Sequence, residues 1–108
     1  MRVLNHTRSN DTECIIRDIK KIDIRKGQFL ELLENLSTNP IKNKQKAYDI
    51  FDEITSNSLH RIFVALMKSK SKQILIGAVT LLVEPKFIYE GGRVGHLEDV
   101  VVKRKIRL

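Results

Sequence analysis

Several residue types are scarce in this 108-residue sequence, and each scarcity removes a class of protein from consideration. The single cysteine, Cys14, cannot form a disulfide within the chain, which suits a reducing compartment. One cysteine and three dispersed histidines, His6, His60 and His96, lack the spacing of a metal site, so we expect no metal. No apolar run approaches the roughly 20 residues of a membrane span, and residues 1–11 lack the apolar core of a secretory signal. We therefore predict a soluble, cytoplasmic protein without a membrane partner.

Acidic residues are in the minority, since 13 Asp and Glu stand against 20 Lys and Arg and the net charge is +7. A basic balance is compatible with nucleic acid, whose phosphates attract Lys and Arg. The basic residues are scattered, however, and only 6% of the chain is aromatic and able to stack on bases. Small polyanionic ligands would benefit from the same charge. We therefore do not expect a nucleic-acid partner.

The hydrophobic pattern predicts an α+β domain with a mostly antiparallel sheet. Hydrophobic residues make up 42% of the chain, which is enough for one core. The predicted order is β-α-α-β-β-β. Its elements are a strand at 14–19, a helix between Asp23 and Pro40, a helix at 43–56, and strands at 61–67, 73–84 and 96–102.

Two details of this layout can be tested in a structure. Residues 1–13 offer little apolar surface, so we predict a flexible N-terminal segment before a single domain at 14–108. Asp23 is expected to cap the first helix. The apolar face of that helix is predicted from the spacing of Phe29, Leu32, Leu33 and Leu36.

Residues 86–102, KFIYEGGRVGHLEDVVV, are the most informative part of the chain. A glycine-containing turn leads into valines without polar alternation, which is typical of a strand buried on both faces. Glu98 and Asp99 stand where this strand begins. Burial of two adjacent carboxylates is unfavourable, so their presence here indicates a functional role. Alternation along the strand predicts that their side chains point to opposite faces. The alternative is that both acids cap the strand or pair with nearby lysines.

This stretch resembles the fourth strand of the glucosamine 6-phosphate N-acetyltransferases, a family of the GNAT acyltransferase superfamily. The family pattern is a Lys-Phe-Ile-like run, a glycine-containing turn, then Gly-His-Ile/Leu-Glu-Asp and small apolar residues. A weaker resemblance continues through residues 15–18, 29–37 and 76–84. It implies the N-terminal part of a GNAT fold and a homodimer. It also implies acetyl transfer from acetyl-CoA to the amine of glucosamine 6-phosphate, giving N-acetylglucosamine 6-phosphate for UDP-N-acetylglucosamine biosynthesis.

The resemblance assigns the two carboxylates to the catalytic site. Glu98 would act as the base, through water, and Asp99 would contribute backbone and sugar contacts. The family strand carries a bulge whose free backbone amides bind the thioester carbonyl and the pantetheine arm. Val100, Val101 and Val102 would supply those amides.

The resemblance also implies substrate contacts outside the strand. Lys86, Phe87, Ile88 and Tyr89 match the loop that binds the sugar phosphate in the family. The alternative for Lys86 is an ordinary solvated lysine. Ser37 stands where the family has a threonine that offers a hydroxyl to the substrate, and a serine is also common at a helix end. His96 is better explained as a hydrogen-bonded structural histidine than as a base.

In the family, the pattern continues beyond the last residue of this sequence into a Gln/Arg-x-x-Gly-x-Gly loop that binds the coenzyme A pyrophosphate. Arg107 aligns with the first residue of that loop. The alternative to an enzyme is therefore an incomplete GNAT domain, a catalytically incompetent fragment or truncated paralogue that acts as a binding module. Its last strand would be an unprotected edge with an apolar face, so we predict poor solubility.

Overall fold

The chain folds into one antiparallel sheet with helices inserted between its second and third strands. A computed structural model describes residues 3–6 and 12–105. The strands lie in the order β1-β2-β3-β4-β5 and every neighbouring pair is antiparallel, which confirms the α+β prediction. The elements are β1 (Val3–His6), β2 (Thr12–Asp18), α1 (Lys21–Arg25), α2 (Gln28–Leu33), α3 (Lys44–Thr55), β3 (His60–Ser69), β4 (Lys72–Pro85), the short α4 (Ile88–Gly91) and β5 (Arg93–Val102).

The N-terminal end contributes a strand that the sequence pattern does not predict. Val3–His6 pairs with β2, and β2 itself begins at Thr12. Positions 3–6 and 12–13 of the segment that we predict to be flexible thus lie in strands of the described structure, and the flexible segment stays a prediction. The other positions of that segment, 1–2 and 7–11, lie outside the described residues.

The first predicted helix is divided into α1 and α2 by Gly27, whose φ of 82° lies in the left-handed region that glycine adopts without strain. Asp23 caps the start of α1 as predicted, although it does so from inside the helix and Lys20 is the N-cap residue. It is the third residue of α1, where its carboxylate accepts a hydrogen bond from Lys20 N at 2.7 Å and two from the Arg17 guanidinium at 2.8 Å. The hydrogen bonds that Arg17 donates to Asp23 raise the pKa of Arg17. Asp23 thus anchors the start of α1 to β2.

The predicted apolar face of this region is only partly correct. Phe29 and Leu32 are buried, and Leu33 packs against the core. Leu36 lies beyond the end of α2 and remains 48% exposed, so it does not extend the buried face. The helix is shorter than its apolar spacing suggests.

The helices α1, α2 and α3 pack on one face of the sheet, which we call the covered face. Asn43 begins α3 as its N-cap, with Oδ1 accepting a hydrogen bond from Lys46 N at 3.0 Å. Lys44 Nζ donates to the carbonyl oxygens of Ile24 and Arg25, which closes the C-terminal end of α1. The buried core contains Ile19, Ile24, Phe29, Leu32, Ala47, Val64, Leu66, Leu75, Ala78 and Val101.

The opposite side of the sheet, which we call the open face, contributes none of these core residues. Strand alternation places Phe63, Val79, Leu97 and Val102 on this side. Leu97 is 69% exposed and Val102 64% exposed, and no described helix supplies a core residue there. The prediction that the valine run is buried on both faces is therefore wrong, because β5 is an edge strand with one uncovered face.

None of the helices in the described part of the chain combines the length and apolar character that spanning a membrane requires. The longest, α3, has 12 residues.

Candidate functional site

The central feature of the candidate site is a bulge in β5. Thr80 pairs with Glu98, whereas Ala78 pairs with Val101, so two residues of β5 stand opposite the single residue Val79. The first of the two, Asp99, has a φ of 50°, in the left-handed region that non-glycine residues rarely adopt. The sequence resemblance predicts a bulge in this strand, and the register shows one at 99–100.

Glu98 and Asp99 are both among the residues that line one cavity, and the prediction that their side chains point to opposite faces stays a prediction. Glu98 pairs with Thr80, a residue of the covered face, and both carboxylate residues line the space between helices and sheet. Ordinary strand alternation fails here because Asp99 interrupts it with a left-handed backbone.

The cavity has a volume of about 210 Å³, and most of the residues that line it are apolar. Both acids are exposed as well as lining it, so the cavity opens to solvent beside them. Four polar residues line it, namely His60, Thr80, Glu98 and Asp99. The apolar lining comprises Ile19, Ile24, Phe29, Leu30, Leu33, Ile41, Ala47, Ile50, Phe51, Ile54, Ile62, Ala78 and Leu82.

Two of these polar residues, His60 and Thr80, are missed by the sequence analysis. Thr80 is the only hydroxyl residue in the otherwise apolar stretch 74–83, and that interruption is the signal that could have identified it. His60 stands at the first position of β3, where nothing in its neighbours marks it. Its place in the lining of the same cavity follows from the pairing of β3 with β4.

The loop predicted to bind the sugar phosphate does not line this cavity. Lys86 Nζ donates a hydrogen bond to Glu84 Oε2 at 2.8 Å, which lowers the pKa of Glu84. Phe87 and Tyr89 are exposed, at 105% and 83% of their reference areas. The described structure therefore holds this loop, including Ile88, away from Glu98 and Asp99 within one chain.

The remaining predicted residues also lie elsewhere. Ser37 is exposed, and its Oγ accepts a hydrogen bond from Asn39 N at 3.1 Å in a local turn. His96 Nε2 lies 3.3 Å from Glu84 Oε1 without the geometry of a hydrogen bond, and does not line the cavity. Arg107 lies outside the described residues.

The three predicted valines lie along the edge of the sheet. Val101 is 6% exposed on the covered face, whereas Val100 and Val102 are 59% and 64% exposed. Lys103 donates its N–H to Ile76 O of β4 at 2.7 Å. Since donors alternate along an antiparallel ladder, the N–H of Val102 points away from β4, toward the open edge.

A second, shallower depression lies beside the end of β5. Its volume is about 430 Å³, and Lys103, Arg104 and Lys105 line it together with residues of α2 and of the turn that follows, Glu31 and Glu34 among them. Among the described residues, no group of three or more His, Cys, Asp or Glu side chains could hold a metal ion.

Comparison with known proteins shows which class of protein has this fold. No protein-family model matches the chain. A crystal structure of glucosamine-6-phosphate N-acetyltransferase from Arabidopsis thaliana matches with a TM-score of 0.72 and 32% identity, over 84% of this chain and 60% of that one. An acetyltransferase structure from Trypanosoma brucei matches with a TM-score of 0.68 and 27% identity, over 84% of this chain and 61% of that one. The described chain thus has part of the fold of the GNAT acetyltransferases.

Sequence similarity identifies the relatives within that class. The chain is 40% identical over 93 residues to glucosamine 6-phosphate N-acetyltransferase 1 of Oryza sativa subsp. japonica, which covers 85% of this chain and 54% of the relative. A probable enzyme of the same name from Drosophila melanogaster is 33% identical, over 85% of this chain and 41% of its own. The chain is therefore a homologue of the glucosamine 6-phosphate N-acetyltransferases, and spans about half the length of the curated relatives it matches.

Proposed function

We propose that this chain forms the carboxylate-bearing part of a glucosamine 6-phosphate N-acetyltransferase. It would take acetyl from acetyl-CoA and form N-acetylglucosamine 6-phosphate, in the pathway to UDP-N-acetylglucosamine. The observation that carries the proposal is the bulge in β5 at 99–100, where Glu98 and Asp99 both line one cavity. Similarity to the named relatives supplies the substrates.

The proposed chemistry begins with the substrate amine, which must lose its proton before it can attack the thioester carbon. An ammonium group is attracted to the paired carboxylates, and Glu98 or Asp99 can receive its proton directly or through one water molecule. Thr80 and His60 lie at the same cavity and can accept or donate hydrogen bonds to sugar hydroxyls. In this scheme the acids bind and deprotonate one group.

Backbone amides at the open edge of β5 would stabilise the oxyanion that forms when the amine attacks. The N–H of Val102 points to that edge, close in the chain to the acids, and Val100 is the second residue of the bulge. Val101 would hold the strand in place through its buried side chain. The acetyl group passes from the coenzyme A sulfur to the sugar nitrogen, and the departing thiolate takes up a proton.

The anionic parts of both substrates would be held by basic residues outside the cavity. Lys103, Arg104 and Lys105 line the depression at the end of β5 and suit the phosphates of acetyl-CoA. Arg107 would extend that group. Lys86 and Tyr89 stand away from the cavity of their own chain, so their proposed contact with the sugar phosphate requires either a loop movement or the homodimer that the resemblance implies.

The alternative is a binding module that holds the sugar phosphate without acetyl transfer. The deciding experiment is to assay the full chain for thiol release from acetyl-CoA with glucosamine 6-phosphate. We expect release that falls by about 100-fold or more in Glu98→Gln or Asp99→Asn, within the usual range for a positioned acid–base group. Glu53→Gln, an exposed acid on α3, is the matched control. A wild-type chain that binds glucosamine 6-phosphate without thiol release would instead establish the binding module.

A further inference from the structure

The fold brings basic residues from two distant parts of the sequence to one end of the sheet. Lys103 follows β5, and its N–H donates to Ile76 O of β4. From Ile76, β4 extends back four residues to Lys72, about 13 Å at the usual rise of a strand. The β3–β4 hairpin therefore extends past the end of β5, at the same end of the sheet as the segment that follows β5. Six exposed cations lie in this region, which we call the basic end: Lys68, Lys70, Lys72, Lys103, Arg104 and Lys105.

The cations of the basic end differ from those at the opposite end of the sheet in having no acidic partners. At the opposite end, Arg61 Nη2 lies 2.7 Å from Asp18 Oδ2, and Lys86 Nζ lies 2.8 Å from Glu84 Oε2. In the described part of the chain, no salt bridge involves a cation of the basic end. Clustered charges of one sign produce a potential that attracts oppositely charged ligands. The basic end is thus suited to attract an anion.

Lys70, at the tip of the hairpin, has a backbone conformation that lysine rarely adopts. Ser69 pairs with Lys72, so Lys70 and Ser71 form a two-residue turn. The φ of Lys70 is 51°, in the left-handed region where such turns usually have Asn, Asp or Gly. Lysine is less stable than those residues in this conformation. Its exposed ammonium group is what a residue better suited to the turn would not provide.

A depression at the basic end indicates the size of the anion. Lys103, Arg104 and Lys105 line it, and its volume of about 430 Å³ lies in the range of sites that bind small molecules. Glu31 and Glu34 also line it. Their carboxylates oppose a long polyanion that covers the whole region, such as duplex nucleic acid. The observations therefore favour a small ligand that carries several phosphates.

We propose that the basic end is a steering surface for coenzyme A, on which Lys68, Lys70 and Lys72 attract the phosphates of the nucleotide end and speed its arrival at the depression. The identity of the ligand rests on the proposed function, but steering does not depend on acetyl transfer. Steering acts before contact, so the hairpin lysines would change the association rate constant and leave the dissociation rate constant nearly unchanged. Clustered charges can raise association rates by about tenfold or more.

The first experiment measures association and dissociation of the fluorescent ethenoadenine derivative of coenzyme A with the full chain, by stopped-flow anisotropy. The main variant combines Lys68→Gln, Lys70→Asn and Lys72→Gln. We expect its association rate constant to fall about tenfold at low salt, with a dissociation rate constant within about twofold of wild type. The difference should nearly vanish at about 1 M salt, where the Debye length is about 3 Å. Equal association rate constants at low salt would overturn the proposal, and so would a loss of affinity caused by faster dissociation.

Single substitutions separate the effect of this surface from that of net charge. Lys70→Asn and Arg93→Gln each remove one positive charge, and Arg93 is an exposed residue at the start of β5, about 30 Å from Val102. We expect association to slow about twofold in Lys70→Asn and to stay unchanged in Arg93→Gln. Equal losses in the two variants would overturn the proposal, because net charge alone would then explain them.

Lys70→Asn also keeps folding apart from binding. Asparagine adopts the left-handed region more readily than lysine, so the Tm of this variant should equal or exceed that of wild type. Slower association in a variant of undiminished stability would be due to the missing ammonium group. If the triple variant does not fold, Lys70→Asn decides the matter.

Two further ligands test the assignment to coenzyme A. The derivative that lacks the phosphate on its ribose carries less charge, so it should associate more slowly with wild type and respond less to loss of the hairpin lysines. Absence of coenzyme A binding to wild type would overturn the proposal, as would tighter binding of a short DNA duplex. Absence of thiol release, with fast and salt-dependent association of coenzyme A, would instead contradict only the proposed function.

Discussion

The two faces of the sheet carry similar side chains and differ in what covers them. On the covered face, Val64 and Val101 are 1% and 6% exposed beneath α1, α2 and α3. On the open face, Leu97 and Val102 are 69% and 64% exposed. Monomeric proteins rarely leave a large contiguous apolar area in water. The comparison shows that apolar side chains make a strand suitable for burial but do not bury it. Whether the strand is buried depends on other elements that pack against it.

The largest expected difference between the faces comes from truncating one aromatic residue on each side. Phe29 is 6% exposed in the core, so Phe29→Ala should lower the free energy of unfolding by about 3–5 kcal/mol. Phe63 is half-buried on the open face, with the Arg61 guanidinium 4.8 Å from its ring centre. Phe63→Ala should cost less than half as much, because water already reaches the site. Urea unfolding measures both, and equal losses would contradict the difference between the faces.

Removing one charge on each side should give the next largest effect. Asp23 is 5% exposed and accepts hydrogen bonds from Arg17 and Lys20, so Asp23→Asn should cost about 2–3 kcal/mol. Asp18 binds Arg61 across exposed side chains, and this ion pair lowers the pKa of Asp18. Asp18→Asn should cost less, because solvent screens the pair. Urea unfolding measures the loss of stability in both variants. A larger loss for Asp18→Asn than for Asp23→Asn would contradict the expected order.

A lysine on the open face should change association more than stability. Leu97→Lys places a charge on the edge strand, which opposes pairing with another chain. We expect a lower apparent mass by light scattering and a change in unfolding free energy within about 0.5 kcal/mol. Leu36→Lys, an equally apolar exposed site on the helical side, is the control and should leave the mass unchanged. Equal behaviour of the two variants would remove the open face as the cause of association.

The smallest effect concerns Glu84 near the end of the β4–β5 hairpin. The hydrogen bond from Lys86 lowers its pKa, and the charge of His96 acts in the same direction. A pKa below the unfolded value means that the interaction contributes stability at pH values above about 4.3 and that this contribution disappears as the pH falls through the folded pKa. Lys86→Met should raise the pKa of Glu84 in a carbon-detected NMR titration. Lys103→Met is the control, and an unchanged pKa in Lys86→Met would refute the assignment.

The order of strands and helices could be predicted from the sequence because each of those elements repeats its own period over many residues. The long apolar run of β4 and the spacing within α3 are local signals. β1 carries no such signal, since its four residues are stabilised by pairing with β2. Asp23 likewise matches a cap pattern, but Arg17 on the neighbouring strand determines where its carboxylate binds.

The site was predicted in part for the same reason. Two adjacent acids at the start of an apolar strand can be recognised in the sequence alone, so Glu98 and Asp99 could be chosen as candidate residues without a structure. The bulge at Asp99 could not, because it depends on how β5 pairs with β4. His60 and Thr80 reach the cavity only through the lateral pairing of three strands. Local sequence identifies chemical groups, and long-range pairing decides which of them meet.

Asp99 is an extra residue in the pairing of β5 with β4, because it adds one residue to β5 that has no partner of its own on β4. Upstream of it, β5 pairs with β4 in one constant register, and downstream the register is displaced by one position. Deleting Asp99 would restore a single register without moving any other side chain of β5 to the other face, and would remove a backbone conformation that costs about 1–2 kcal/mol for a non-glycine residue. The shortened chain would be expected to fold at least as well as the parent. The strand thus carries a residue that its own stability does not require.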